Sequence, residues 1–108
     1  MKELRIKQLH PTLGKIEGVM RIVGHIIYLK FNSNSYSEQV MLQMQSKGAI
    51  ITKGKGWIRI NIFGEHRVAK IENNELDLDT ESPEQIETKL CAFFKKKYLE
   101  SKFEVIEK

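Results

Sequence analysis

The sequence predicts an α+β protein built mostly on antiparallel sheet, and three observations support this fold class. Short segments rich in Ile, Val and Thr alternate apolar with polar residues, as half-buried strands do. Turn residues such as Gly, Pro and Asn separate these segments. One amphipathic helix follows near the C-terminal end, so strands and helices do not alternate regularly. We expect about seven strands and two helices in a single domain over 1–108.

The N-terminal third predicts a strand, a turn and a hairpin. Leu4 and Ile6 alternate with charged residues, which is typical of a strand. The segment HPTLG at 10–14 combines proline with glycine, as tight turns do. A β-rich stretch covers 15–31, and Gly24 divides it into two strands of a hairpin.

A short inserted helix is predicted over 36–46, after these strands. Ser35 is its expected N-cap, and Glu38 is the capping-box partner three residues further on. The apolar residues of this helix recur on one side at helical spacing and are expected to pack on the core.

The middle of the chain predicts a meander at 49–79. Its aliphatic residues share one face when Ile51 opposes Ile58, and when Ala49 and Ile71 both oppose Ile60. In the same register Lys70 and Asp77 are cross-strand neighbours of opposite charge. The predicted strands are 49–52, 57–63, 68–72 and 75–79, joined by loops at 53–56, 64–67 and 73–74.

A C-terminal amphipathic helix is predicted over 83–101. The start S-P-E-Q at 82–85 places Ser at the N-cap, Pro at the first helical position and Gln at the third. We expect the buried side of this helix to cover the aliphatic face of the meander, and 103–106 to dock as a short last strand. The apolar residues on that side are Ile86, Leu90, Phe93, Phe94 and Tyr98.

The order of elements resembles the pleckstrin-homology-like fold, in which a C-terminal helix closes two antiparallel sheets. This resemblance implies, as an alternative architecture, a two-sheet barrel closed by helix 83–101. The helix at 36–46 is a departure from that fold. Because the resemblance lies in element order alone, it implies nothing about function.

Charge is divided unevenly along the chain. Residues 1–71 carry 12 Lys and Arg against four acids, whereas 72–108 carry six Lys against ten acids. Seven of those acids fall within 72–87, where there is no Lys or Arg before Lys89. The basic part is suited to attract a polyanion, and the acidic segment to meet a basic partner.

No motif for catalysis, metal or cofactor is recognisable, and we expect a non-enzymatic protein. His10, His25 and His66 lie in separate turns without ligand spacing. Cys91 is the only cysteine, so an internal disulfide is impossible and a reducing, cytoplasmic location is expected. No apolar run reaches the roughly 20 residues of a membrane span, so no membrane partner is expected.

The functional prediction rests on the face of the meander opposite its aliphatic residues. Lysine and arginine can hold phosphate, and an aromatic ring can stack on a base, so this face predicts nucleic-acid binding. A small accessory protein of phage or plasmid type would fit that function. The candidate residues are Lys53, Lys55, Trp57, Arg59, Asn61 and Lys70.

Two alternatives to nucleic-acid binding remain open at the level of sequence. The rings on this face could pack beneath the N-terminal strands as a second layer. The protein could also be an interaction module, namely an inhibitor, an immunity-type protein or a homodimerising adaptor. Its partner would then meet the acidic 72–87 segment or an aromatic–acidic set consisting of Trp57, Phe63, Asp77 and Asp79.

Overall fold

The computed structural model describes residues 1–46, 50–54, 56–71 and 74–107, and it confirms an α+β fold with mostly antiparallel sheet. The helices are α1 (Asn34–Ser46) and α2 (Pro83–Phe94), and α2 continues into a π-helical segment, Lys95–Leu99. The described strands are β1 (Lys2–His10), β2 (Gly14–Val23), β3 (Ile26–Phe31), β4 (Ile50–Gly54), β5 (Trp57–Asn61), β6 (Val68–Ile71), β7 (Asn74–Asp77) and β8 (Glu104–Glu107).

The strands form two separate sheets. Six of them lie in the order β4-β5-β3-β2-β1-β8, with antiparallel pairing throughout, while β6 and β7 form a two-stranded sheet. The large sheet is open, because its edge strands β4 and β8 pair only with β5 and β1. The alternative of a closed pleckstrin-homology-like barrel is therefore wrong.

The predicted turns in the N-terminal third are confirmed. Between β1 and β2, His10 Nδ1 accepts hydrogen bonds from the backbone N–H groups of Thr12 and Leu13, at 3.2 and 3.1 Å. The chain then enters β2 at Gly14, whose φ of 78° suits glycine. A second tight turn at Gly24 links β2 to β3. Three strands of the large sheet thus follow one another along the chain.

The meander at 49–79 does not exist as one unit. β5 pairs with β4 on one edge and with β3 on the other, so Ile60 lies between Ile51 and Ile27 rather than beside Ile71. The predicted partner Ala49 lies outside the described residues. The β4–β5 register is also displaced by two residues, since Ile51 faces Ile60 and not Ile58. A two-residue displacement leaves every side chain on its predicted face, so the alternation of residue types could not detect it.

The sheet formed by β6 and β7 differs from prediction in the same way. Lys70 lies opposite Glu75, and Asp77 lies opposite Val68, so the predicted Lys70–Asp77 pair is wrong. The displacement is again two residues and again preserves the faces. Lys70 therefore belongs to a small separate sheet and not to the strand beside β5.

Strand β5 ends at Asn61 because the Asn61 side chain binds the backbone of the turn that follows. Its Oδ1 accepts the N–H of Phe63 at 3.1 Å, and its Nδ2 donates to the carbonyl oxygen of Gly64, also at 3.1 Å. The chain turns away from the sheet, and the Phe63 ring packs edge-on against His25 with 5.7 Å between centroids. Phe63 is 2% exposed, so its predicted place on the outward strand face is wrong.

The helix starts agree with prediction at α2 and differ at α1. Ser82 caps α2 in a capping box: its hydroxyl accepts the backbone N–H of Gln85 at 3.2 Å, and the Gln85 side-chain oxygen accepts the backbone N–H of Ser82 at 2.9 Å. At α1 the hydroxyl of Ser33, not of Ser35, accepts the N–H of Tyr36 at 3.3 Å. Glu38 is no capping partner there, and it lies 3.8 Å from Lys53 Nζ instead.

The core lies on one side of the six-stranded sheet. There α1 contacts β3 and β4, and α2 contacts β1 and β2 rather than a meander. Ile71 and Leu76 bring the two-stranded sheet into the same core. The described helices and the small sheet thus pack on the inner face of the large sheet. No described helix or strand packs on the outer face.

One glycine of the sheet is expected to be intolerant of any side chain. A Cβ atom on Gly18 would lie 2.7 and 2.9 Å from atoms of the Phe31 ring and 3.0 Å from the Lys30 carbonyl oxygen. Because Phe31 is buried, Gly18→Ala should lower the free energy of unfolding by about 1–3 kcal/mol. Urea denaturation measures the change. Gly54→Ala is the matched control, since a Cβ there meets nothing within 4 Å, and equal stability of the two variants would contradict this account.

Candidate nucleic-acid interface

The outer face of the large sheet carries two adjacent rows of side chains that run across the strands. In the first row, Arg21 is the direct neighbour of Glu3 and Tyr28, and Tyr28 is the neighbour of Arg59. In the second row, Arg5 and Lys30 flank Val19, and Trp57 stands on β5 beyond Lys30. We call the following six residues the Trp57 face: Arg5, Arg21, Tyr28, Lys30, Trp57 and Arg59.

Trp57 lies at the centre of two cation–π contacts. The Cζ atom of Arg21 is 5.1 Å from the ring centroid, and the Nζ atom of Lys30 is 5.6 Å from it. Arg21 also donates from Nε to Glu3 Oε2 at 2.9 Å, which holds its guanidinium between a carboxylate and the indole. The indole is half-buried by these neighbours and keeps an exposed part.

Positive charge is concentrated in these two rows. They contain four basic side chains, on Arg5, Arg21, Lys30 and Arg59, against the single acid Glu3. The next row has no excess of positive charge, because Lys7 stands between two acids, Glu17 and Glu104. The electrostatic attraction of the face for an anion is therefore strongest beside the two aromatic rings.

Two open depressions adjoin each other on this face. The larger has a volume of about 520 Å³ and is lined by Met1, Arg21, Val23, Tyr28, Gly54 and Trp57. The second, of about 410 Å³, has three cations, Arg5, Lys7 and Lys30, and one acid, Glu17, among its lining residues. Because Lys30 lines the second depression while its Nζ lies over the Trp57 ring, a basic depression borders an aromatic one.

The structure separates the six residues that the sequence grouped as a nucleic-acid site. Trp57 and Arg59 lie together on the outer face, as the alternation predicts. Lys53 lies on the inner side, opposite Ile58 and near Glu38 of α1. Asn61 uses its amide to hold the turn after β5. Lys70 is in the other sheet, and Lys55 lies outside the described residues.

The set proposed for a protein partner is also separated. Phe63 is buried, so it cannot pair with Trp57 as an exposed aromatic anchor. Asp79 binds Arg67 Nη2 at 2.6 Å, and this hydrogen bond raises the pKa of Arg67. The carboxylate of Asp77 accepts the N–H of Asp79 at 2.8 Å. Both carboxylates thus already accept hydrogen bonds from neighbouring residues of the chain.

Some acids of the 72–87 segment are buried or paired within the described part of the molecule. Glu87 is 5% exposed and accepts hydrogen bonds from the amino group of Met1 at 3.1 Å and the N–H of Gly24 at 3.2 Å. Glu81 pairs with Lys89, and this hydrogen bond lowers the pKa of the Glu81 carboxyl. The segment therefore helps to attach α2 to the sheet, and it presents less free charge than its composition implies.

The N-terminal strands do not cover the Trp57 face as a second layer. They lie beside β5 in the same sheet, with β3 as its direct neighbour. The alternative in which the ring packs beneath them is therefore wrong. The same arrangement supplies the four residues of this face that the sequence did not group with Trp57, namely Arg5, Arg21, Tyr28 and Lys30. Each of these residues alternates with buried residues of its own strand, which indicates an outward direction, but only the β1–β2, β2–β3 and β3–β5 pairings bring them to Trp57.

Other reactive groups of the described residues offer no second site. Cys91 is buried, and burial raises the pKa of its thiol. No three His, Cys, Asp or Glu side chains among the described residues are grouped to hold a metal ion.

None of the described helices combines the length and the apolar character needed to cross a membrane. Comparison of the chain with protein-family models, curated proteins and solved structures finds no match.

Proposed function

We propose that this protein binds nucleic acid through the Trp57 face and carries out no catalysis. The observation that carries the proposal is a sheet face that no described helix or strand covers, on which a half-exposed tryptophan stands between Arg21 and Lys30. Basic side chains hold phosphate oxygens, and aromatic rings stack on bases. We place this function in the cytoplasm, where the single cysteine stays reduced, in an accessory role of phage or plasmid type.

The net charge of this face favours a polyanion over a protein partner. Arginine and aromatic side chains are common at protein–protein interfaces too, but charged residues as a whole, and lysine in particular, are depleted at the buried centre of such interfaces. Here four cations surround two rings, and the nearest acid, Glu3, is already paired with Arg21. Phosphates would satisfy these cations, whereas an apolar partner surface would desolvate them without compensation.

The dependence of affinity on salt tests the proposal. Binding of a fluorescein-labelled oligonucleotide of about 20 nucleotides, measured by anisotropy, should weaken steeply as salt rises. If the four cations each meet one phosphate of a single strand, the plot of log K against log salt should have a slope of about −3. Arg59→Ala should reduce this slope by about 0.7 because one phosphate contact is lost.

Lys70→Ala is the matched control for Arg59→Ala. It removes one exposed cation from a strand of the other sheet, so affinity and slope should stay at the wild-type values. Undetectable binding of single and double strands at low salt would refute the proposal. An equal loss in the two variants would show attraction by net charge alone, and it would refute the assignment to this face.

A further inference from the structure

We infer that the ligand of the Trp57 face is single-stranded nucleic acid, with an unpaired base stacked on Trp57. This inference rests on the proposed function and makes it more specific. It follows from the shape of the face, from the position of its aromatic rings and from the line of basic side chains across its strands.

The shape of the face is unsuited to reading a double helix. Protein elements that enter the major groove are protruding helices or two-stranded ribbons. The described helices and the two-stranded sheet pack on the inner side of the six-stranded sheet, away from the Trp57 face. The outer face is a broad surface, about 24 Å across six strands spaced about 4.8 Å apart. A duplex could touch such a surface only with its phosphates.

The rings are placed where only an unpaired base can use them. Trp57 and Tyr28 line the same open depression, of about 520 Å³, and Val23 adds a further apolar wall. In a duplex the base faces are already stacked on each other, whereas the bases of a single strand are free to stack on aromatic side chains. The guanidinium of Arg21 lies at the edge of this depression and over the indole, where it can meet a neighbouring phosphate.

The cations define a path across the strands. Arg59, Lys30, Arg21 and Arg5 belong to four consecutive strands of the sheet, β5, β3, β2 and β1. Four neighbouring strands span about 14 Å, which suits a few nucleotides of one strand. The rings of Tyr28 and Trp57 lie on the same two strands as Lys30 and Arg59, so a base stacked there would have cations beside it for the adjoining phosphates.

The intrinsic fluorescence of Trp57 tests the inference directly, because it is the only tryptophan of the chain. Titration with oligothymidylate or oligouridylate should quench this fluorescence as a base stacks on the indole. A duplex of matched length should bind at least about tenfold more weakly at the same salt concentration and should leave the fluorescence nearly unchanged. Anisotropy of labelled strands gives the affinities independently.

Two substitutions separate stacking from charge. Trp57→Ala should weaken single-strand binding by about 10- to 100-fold and affect duplex binding less than about twofold. Trp57→Phe keeps a ring and should retain most of the single-strand affinity, provided that both variants unfold cooperatively. Arg59→Ala should weaken whichever form binds.

The outcomes distinguish this inference from the proposed function. If the duplex binds as tightly as the single strand and remains sensitive to Arg59→Ala, the single-strand inference is wrong and nucleic-acid binding stands. If single strands bind tightly without quenching Trp57, the stacking assignment is wrong. If no nucleic acid binds, both fail. Preferential binding of either single strand with quenching supports the inference.

Discussion

Replacing Arg21 and Lys30 together by glutamate is expected to reduce nucleic-acid affinity by more than about 100-fold at about 0.1 M salt. Each change turns a cation beside the Trp57 ring into an anion, so both cation–π contacts are lost and phosphate is repelled. Glutamate at position 21 would also stand directly opposite Glu3, a like-charge pair. Anisotropy titration of the variant against wild-type protein measures the loss.

A second charge reversal provides the control for this experiment. Lys70→Glu with Lys96→Glu changes the net charge by the same amount, starting from +4, but at exposed positions on β6 and the π-helical segment. We expect this variant to lose little affinity, since long-range attraction is screened beyond about 10 Å at 0.1 M salt. Equal losses in the two variants would mean that the whole molecule, and not the Trp57 face, attracts the polyanion.

Phe63→Ala is expected to lower the free energy of unfolding by about 3–5 kcal/mol. The ring is 2% exposed and packs against His25, so its removal leaves a cavity that the turn after β5 can fill only in part. For a protein of this size the loss is a large share of the roughly 5–15 kcal/mol that holds a domain folded. Urea denaturation followed by circular dichroism measures it.

Leu42→Ala is the control for the loss at Phe63. Leu42 is 63% exposed on α1, and alanine is a good helix former, so this change should alter stability by less than about 0.5 kcal/mol. If Phe63→Ala were as mild as Leu42→Ala, the ring would lie at the surface. The outward strand over 57–63 that the alternation predicts would then be correct.

The local features of the fold were predictable where neighbouring residues decide them. The capping box at Ser82 and Gln85 needs only residues three apart, and it is present as predicted. The turn after β5 was predictable in principle, because asparagine followed three residues later by glycine is typical of such turns. The β4–β5 and β6–β7 registers were predicted two residues out, since a shift of two preserves the face of every side chain.

The candidate site was predictable only in part, because four of its six residues come from distant segments. Arg59 and Trp57 were placed together by their own strand. Lys70 was added because the next segment along the chain was expected to pair with β5. β3 occupies that edge instead, and it brings Tyr28 and Lys30 from about 30 residues earlier in the sequence.

The sequence by itself determined that Trp57 and Arg59 stand opposite the buried Ile58 and Ile60, because strand side chains alternate between two faces. Only the tertiary structure decided what else that face contains and that none of the described helices or strands packs over it. The physical reason is that strand pairing between distant segments depends on the packing of the whole core. Here α1 and α2 fill the inner side, and β3 takes the edge of β5.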